Sequence, residues 1–441
     1  MAKTVGHLLW RAFSPGDLYA LAAKAASIGT GAMSLVMAST LVSPTLLGYY
    51  YGFLTIATWR TAVDGGMSYL IVRFAAHEWG MLPDERHRAH AEARLASLVR
   101  MIAPVYVGLA VLFGLITYVV GSLMFAAGTL QPSEWRTPLA VLSVVMFLNM
   151  LALPARALVE GINDIVASSR GTLVSGVAGA CGCWIMLLLD RPMYAVQTWF
   201  LITAVLSSAI WFSALRPLWQ VCRRASTVAS ISFRHEFWPL QSRLTLVIFA
   251  GLALYQSFVP VSFWVLGPVS AGRIGMAIQI QQAIDQLGSV WVQARTPAMA
   301  ILSATQQFAT LRRLAWRTLV HSLASAAMAA AGVLGAILLL GPLFGSVFQK
   351  LPGFFTLFCF VMTSVVLQFA HVDVAMVRCQ KQEPFVALTL ITGALTLVFT
   401  IAGAYEFGEA GIAVAFLVIT AALLVPFTRY IANRVTPRVN L

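Results

Sequence analysis

Six charged side chains stand inside stretches that are otherwise apolar: Lys24, Arg60, Asp64, Arg73, Asp285 and Asp373. A charge at the centre of a bilayer costs roughly 2.5–3.5 kcal/mol on insertion scales, so such residues face a cavity, a partner or the interface. Arg60 and Asp64 are one helical turn apart, a spacing that lets them pair on one face. Gly65-Gly66 follow at once, so a helix carrying them bends or opens there. The carbonyls freed beside Asp64 would suit an ion or a head group. Lys24 reads equally as a lysine reaching for the interface or as a cation lining a cavity. Arg73 lies near the end of its stretch and is expected to reach the interface.

The segment RIGMAIQIQQAIDQLGSVWVQAR (273–295) is the most polar of the apolar stretches. Gln282, Asp285, Gln286 and Gln293 recur at helical spacing and form one stripe, with Arg273 and Gln279 close to it. A polar stripe is expensive against lipid, so it lines a cavity or, as the second reading, bonds to another helix. His371 and Asp373 add a further acid and a residue that either relays protons or bonds a neighbouring carbonyl. Asp64, Asp285 and Asp373 are the candidates for ion coupling, with H⁺ or Na⁺ as the ion. The run Tyr49-Tyr50-Tyr51-Gly52-Phe53 fits an aromatic belt at the membrane interface better than a platform for sugars.

The elements that must position these groups follow from composition. The chain has 441 residues, is 59% hydrophobic and 10% charged, against about 25% charged for a soluble domain. A spanning helix needs about 20 apolar residues. Spans are expected near 18–42, 47–75, 101–127, 137–159, 170–189, 197–217, 244–266, 270–294, 318–345, 353–377, 385–405 and 410–431. The expected fold is therefore all-α and polytopic, with about twelve spanning helices. A terminal interfacial segment (1–17) precedes an N-terminal six-helix lobe (18–218). A basic linker (219–243), a second six-helix lobe (244–432) and a tail (433–441) complete the chain. The stretch 76–100 is expected to be a helix lying on the membrane surface.

The net charge of +13 could indicate nucleic acid, but its distribution excludes that. Lys and Arg fall almost wholly in alternate gaps between spans, and the opposite side holds only Arg136, Arg191, Arg273 and Lys350. The positive-inside rule then puts both termini in the cytoplasm, with the basic loops against anionic inner-membrane lipid. The five cysteines show no C-x-x-C spacing, so neither disulfide nor metal site is expected. There is no G-x-x-x-x-G-K-[ST] and no H-E-x-x-H, and no cofactor is implied. The outer loops are too short to hold a hydrolase or glycosyltransferase site, which argues for a transporter rather than an enzyme.

The run SLVMASTLVSPTLLGYYYGFLTIATWRTAVDGGMSYLIVRFAAHE resembles the first two spans of bacterial polysaccharide-biosynthesis flippases, the Wzx-type branch of the MOP exporter superfamily. The residues that match are Leu41, Ser43, Pro44, Gly48, Tyr49, Asp64, Gly65 and Gly66. WVQARTPAMAIL (291–302) resembles the exit of the family's eighth span, and CQKQEPF (379–385) its loop between spans 10 and 11. The resemblance implies two six-helix lobes around a cavity that opens alternately to each side. It implies an undecaprenyl-diphosphate-linked oligosaccharide as substrate, with a polysaccharide polymerase and a chain-length regulator as partners. It also implies cations lining the cavity from spans 1, 2 and 8, here Lys24, Arg60 and Arg273; Gln279, Gln282 and Gln286 of the polar stripe complete the expected substrate site. The alternative is a MATE-like ion-coupled exporter of drugs or small metabolites, which would favour cationic substrates and acidic cavities.

Overall fold

The computed structural model describes residues 15–225, 231–341, 349–380 and 384–436. The expectations for an interfacial segment before residue 15, for the middle of the linker, for the middle of the 379–385 loop (381–383) and for the tail beyond 436 lie outside the described residues. Among the described residues every regular element is helical.

In chain order these are α1 (Pro15–Leu41), α2 (Pro44–Thr58), α3 (Arg60–Asp64), α4 (Met67–Met81), α5 (Glu85–Ala126), α6 (Pro132–Gly161), α7 (Ile165–Leu188), α8 (Ala195–Ala214) and α9 (Arg216–Arg224). After the linker come α10 (Trp238–Gln256), α11 (Phe258–Leu266), α12 (Pro268–Ala304), α13 (Phe308–Leu340), α14 (Phe354–Arg378), α15 (Val386–Ile419) and α16 (Val425–Val435). Among the described residues eight helical runs are long and apolar enough to cross a membrane by length and composition. The polar α12, the interrupted α2–α4 and the 27-residue α1 account for three more of the expected spans. The fourth comes from Gly408, whose φ of 62° divides α15. Behind that break Gly403 and Gly411 bring their backbones together, since a Cβ on Gly411 would lie 2.0 Å from the Gly403 carbonyl oxygen. The fold is thus an all-α polytopic membrane architecture.

The chain divides into two compact units. The first holds Met1–Met37, Ile56–Ala126 and Leu130–Ile248; the second holds Ala38–Thr55, Ala127–Thr129 and Phe249–Leu441. This differs from a division at a 219–243 linker in three places: the end of α1 with most of α2 and the short stretch 127–129 go with the second unit, and the first half of α10 goes with the first.

In the second unit the aromatic run is core, not belt. Tyr49, Tyr50, Tyr51 and Phe53 are all fully buried, with Tyr49 edge-on to Phe263 at 5.1 Å. The reason is a seam of glycines. Gly48 on α2 meets the backbone of Pro268, and on α12 Gly272 meets Leu47 and Gly48 while Gly275 meets the Tyr51 ring. Small residues let two helix backbones approach closely, and here that approach encloses the tyrosines.

In the first unit the stretch 76–100 is not a separate surface helix. Residues 76–81 finish α4, and 85–100 are the start of the 42-residue α5. The linker's exit is clasped against this extension. Arg94 binds Glu78 at 2.7 Å and Glu236 at 2.6 Å, and the Ile231 N–H donates to Ser97 Oγ at 3.1 Å. Glu236 also accepts from the Ser232 N–H, while Ser232 Oγ accepts from the His235 N–H, a reciprocal cap. Phe237 is fully buried and stacks on Phe74 at 5.5 Å.

Arg94, followed by the Ser232 amide, holds the Glu236 carboxyl below its ordinary pKa. A depressed carboxylate stabilises the clasp above its unfolded pKa and loses that contribution as pH falls through the folded value. The clasp is therefore expected to hold at neutral pH and to loosen below about pH 4, the usual carboxylate range. Arg94→Ala should raise amide exchange across 231–237 at neutral pH by on the order of tenfold. Unchanged exchange in that variant would show that the phenylalanine stack alone holds the segment.

Candidate functional site

The expected site residues divide between the units: Lys24, Arg60 and Asp64 stand in the first, and Arg273, Gln279, Gln282, Asp285, Gln286 and Asp373 in the second.

Lys24 is half-buried on α1. Arg60 opens α3, and the Arg60–Asp64 pair expected from their spacing is not formed. The Arg60 guanidinium donates instead to Asn149 Oδ1 at 3.2 Å, and Asn149 is itself fixed by donating to the carbonyls of Val145 and Phe200. Asp64, buried, accepts from the Ser68 N–H at 3.2 Å, from Ser68 Oγ at 2.8 Å and from Tyr106 Oη at 2.6 Å. The cause is the double glycine. Gly65 and Gly66 both take positive φ, 57° and 83°, a conformation that glycine adopts without steric cost. This stops α3 and restarts the chain as α4, so the Asp64 carboxylate falls where it can satisfy an unpaired N–H in the first turn of α4. The expected opening at Gly65-Gly66 is therefore present. Its freed carbonyl, Gly65 O, accepts from Gln241 Nε2 at 2.9 Å and Thr245 Oγ1 at 3.2 Å on α10. A second guanidinium, Arg156 on α6, lies within electrostatic reach of Arg60 and binds Glu160 at 2.8 Å.

The polar stripe of α12 is real and accessible. Gln282 and Gln293 are exposed, and Asp285 and Gln286 are half-buried, while Ile284, Gly288 and Val292 face the core. Gln279 accepts from Tyr51 Oη at 2.8 Å. Arg273 lies at the start of α12, 3.4 Å from Glu409, and lines a cavity of about 350 Å³ with Gln349 and Phe354.

Asp285 accepts from Gln368 Nε2 at 2.9 Å and has His371 Nδ1 at 3.5 Å. Gln368, fully buried, accepts in turn from Ser322 Oγ at 2.7 Å, and Ser322 also reaches the Gly288 carbonyl. Three helices, α12, α13 and α14, thus hold one carboxylate and one imidazole at an accessible edge. Asp373 is placed differently: it is 1% exposed and paired with Arg429 at 2.7 Å. Sequence reasoning missed Asn149, Tyr106, Gln368 and Ser322. The one signal present was that an Asn or Gln inside an apolar span needs a partner.

Compared as a sequence, the chain matches no protein-family model and no curated protein. Compared as a structure, it is similar to an inward-facing multidrug resistance MATE family transporter of the MOP superfamily, with a TM-score of 0.64 and 13% identity over 93% of this chain and 94% of that one. It is similar to the lipid II flippase MurJ in an inward closed conformation, with a TM-score of 0.60 and 13% identity over 94% and 87% of the two chains. A third similar structure is the MATE multidrug transporter DinF-BH in complex with R6G, with a TM-score of 0.57 and 12% identity over 95% of each chain. At these identities the likeness concerns architecture, and the chain has the fold of the MOP-superfamily transporters.

Proposed function

We propose that the protein flips undecaprenyl-diphosphate-linked oligosaccharide repeat units across the bacterial inner membrane for surface polysaccharide assembly, by alternating access. One observation carries this reading. Arg60 sits in a spanning segment and its hydrogen bond goes to a neutral amide, while the nearest acid, Asp64, is engaged by Ser68 and Tyr106. A guanidinium that makes no direct ion pair, with Asp64 acting on it only at a distance, keeps donors for an anionic ligand, and its planar fork suits a diphosphate. Lys24 and Arg273 are the further cations of the proposed substrate site, and Gln279, Gln282 and Gln286 its hydrogen-bonding groups for sugar. The lipid II flippase among the similar structures is consistent with a lipid-linked substrate.

The test is a deletion strain. Lipid-linked oligosaccharide should accumulate in inner-membrane extracts while surface polymer is lost, with both restored by the wild-type gene. Unchanged levels of both in a strain lacking any second flippase would favour the exporter reading. The multidrug transporters among the similar structures and the accessible carboxylate Asp285 support that alternative.

Of the three acids proposed for ion coupling, Asp64 caps a helix and Asp373 is held by Arg429. Asp285, beside His371 at an accessible edge, is the acid we assign to ion exchange during transport. Asp285→Asn keeps the Gln368 bond and removes the charge. It is expected to leave the protein folded and to lower ion-driven transport about tenfold or more, since a ligand drives an equilibrium only through differential affinity for the two states. Transport in proteoliposomes under an imposed H⁺ or Na⁺ gradient measures this. A variant that responds to both gradients as the wild type does would remove Asp285 from coupling.

A further inference from the structure

A second polar constellation lies within the C-terminal unit, away from the α12 stripe. A cavity of about 160 Å³ is lined by Arg312 and Trp316 of α13, Asp373 and Met376 of α14, and Arg429 and Asn433 of α16. The charge pattern assigns this end of the helices to the cytoplasmic side, where Arg313, Arg317, Arg378 and Arg434 also stand. The cavity is built, not incidental. Arg312 Nη2 donates to the Thr436 carbonyl at 2.5 Å, and Gln380 Nε2 donates to Thr436 Oγ1 at 2.7 Å, which straps the end of α16 over it. Asp373 Oδ1 accepts from Arg429 at 2.7 Å, but the second oxygen, Oδ2, is buried and accepts no hydrogen bond. A buried carboxylate oxygen left without a donor is costly, so a ligand that brings a donor is favoured there.

We infer that this cavity binds the head group of an aminophospholipid, with Arg312 and Arg429 on the phosphate and Asp373 on the ammonium. The pairing of charges is what a zwitterion of this kind requires: two guanidinium forks suited to phosphate oxygens, and a carboxylate within the same small cavity for a group carrying N–H donors. A quaternary amine has no N–H and cannot serve Oδ2. The ligand is a lipid and not a free phosphate ester because the cavity wall includes Trp316, 60% exposed, and α16 also exposes Phe427 and Tyr430. Aromatic side chains of this kind sit at the head-group level of a bilayer.

The test uses the full-length protein in detergent. Phosphatidylethanolamine, its mono- and dimethyl derivatives, phosphatidylcholine and phosphatidylglycerol, all with the same acyl chains, are titrated and bound lipid is read by native mass spectrometry. Phosphatidylethanolamine should be retained over phosphatidylcholine by on the order of tenfold, the ratio one charge-assisted hydrogen bond supports. Retention should persist through the mono- and dimethyl derivatives, which keep an N–H, and fall at phosphatidylcholine, which has none. Asp373→Asn should erase the preference while total phospholipid binding persists, and Arg429→Gln should lower binding of every phospholipid, with unfolding temperatures measured in parallel. The methyl series decides the matter even if either variant fails to fold. Equal retention of phosphatidylcholine, or preference for phosphatidylglycerol, would overturn the assignment. Displacement of bound lipid by free phosphoethanolamine at equal concentration would overturn the lipid as its source.

Discussion

Under the proposed function, Arg60→Ala stops export while the protein stays folded and inserted. That result is expected because the guanidinium makes one hydrogen bond, to Asn149, whereas the neighbouring break at Gly65-Gly66 is secured independently by Ser68, Tyr106, Gln241 and Thr245. Removing the side chain leaves Asn149 Oδ1 short of one donor, a loss of about 1–3 kcal/mol. Losing the only cation deep in this span removes a charge-assisted contact to phosphate, and surface polymer should fall at least about tenfold. Arg60→Lys should fall between, since lysine keeps the charge and loses the planar fork. Asn149→Ala should give a smaller loss, because it frees the guanidinium without removing it. Surface polymer and protein level are measured together at native expression. Normal polymer from the Arg60→Ala strain would take Arg60 out of the proposed substrate site.

Gly48 substitutions should give the largest loss of folded protein. A Cβ at this position would lie 2.0 Å from the Pro268 carbonyl oxygen and 2.6 Å from its carbon. Both atoms are backbone, and Pro268 is locked by its ring at the first position of α12, so neither side can yield cheaply. Overpacking of this kind costs about 1–3 kcal/mol even where some relaxation occurs. Gly48→Ala should lower the unfolding temperature by several degrees, and Gly48→Leu should leave little monodisperse protein. Gly108→Ala on α5 is the control: nothing lies within 4 Å of its Cβ, and alanine favours the helix by up to about 1 kcal/mol. Fluorescence-detected size exclusion after heating compares the three. An unfolding temperature for Gly48→Ala equal to that of the wild type would mean the α2–α12 seam has slack.

What the sequence showed depended on how far apart the interacting residues are. The α12 stripe was legible because Gln282, Asp285, Gln286 and Gln293 are spaced at helical intervals within one segment, and the structure keeps them on one accessible face. The break in the second span was legible because two consecutive glycines mark it. The partners were not: Asn149 lies 89 residues from Arg60 and Tyr106 lies 42 from Asp64, and no local pattern names them. The tyrosine run was misread for the same reason. A belt and a core use the same residue types, and the choice was made by Gly272 and Gly275 more than two hundred residues later. The clasp at Arg94 joins Glu78 and Glu236 across a linker whose composition says only that it is basic and polar.

The continuity of α5 has a mechanical consequence. At about 1.5 Å per residue, the nineteen residues from Pro104, the proline inside this helix, to Glu85 make a rigid arm of roughly 28 Å. A tilt of about ten degrees at the proline, the usual site of a sharp helix bend, would swing the tip by roughly 5 Å. Because Arg94 rides on that arm and grips Glu236, the swing carries the linker's exit with it. A fluorophore on exposed Arg88 would therefore act as a pointer to any tilt of this one helix.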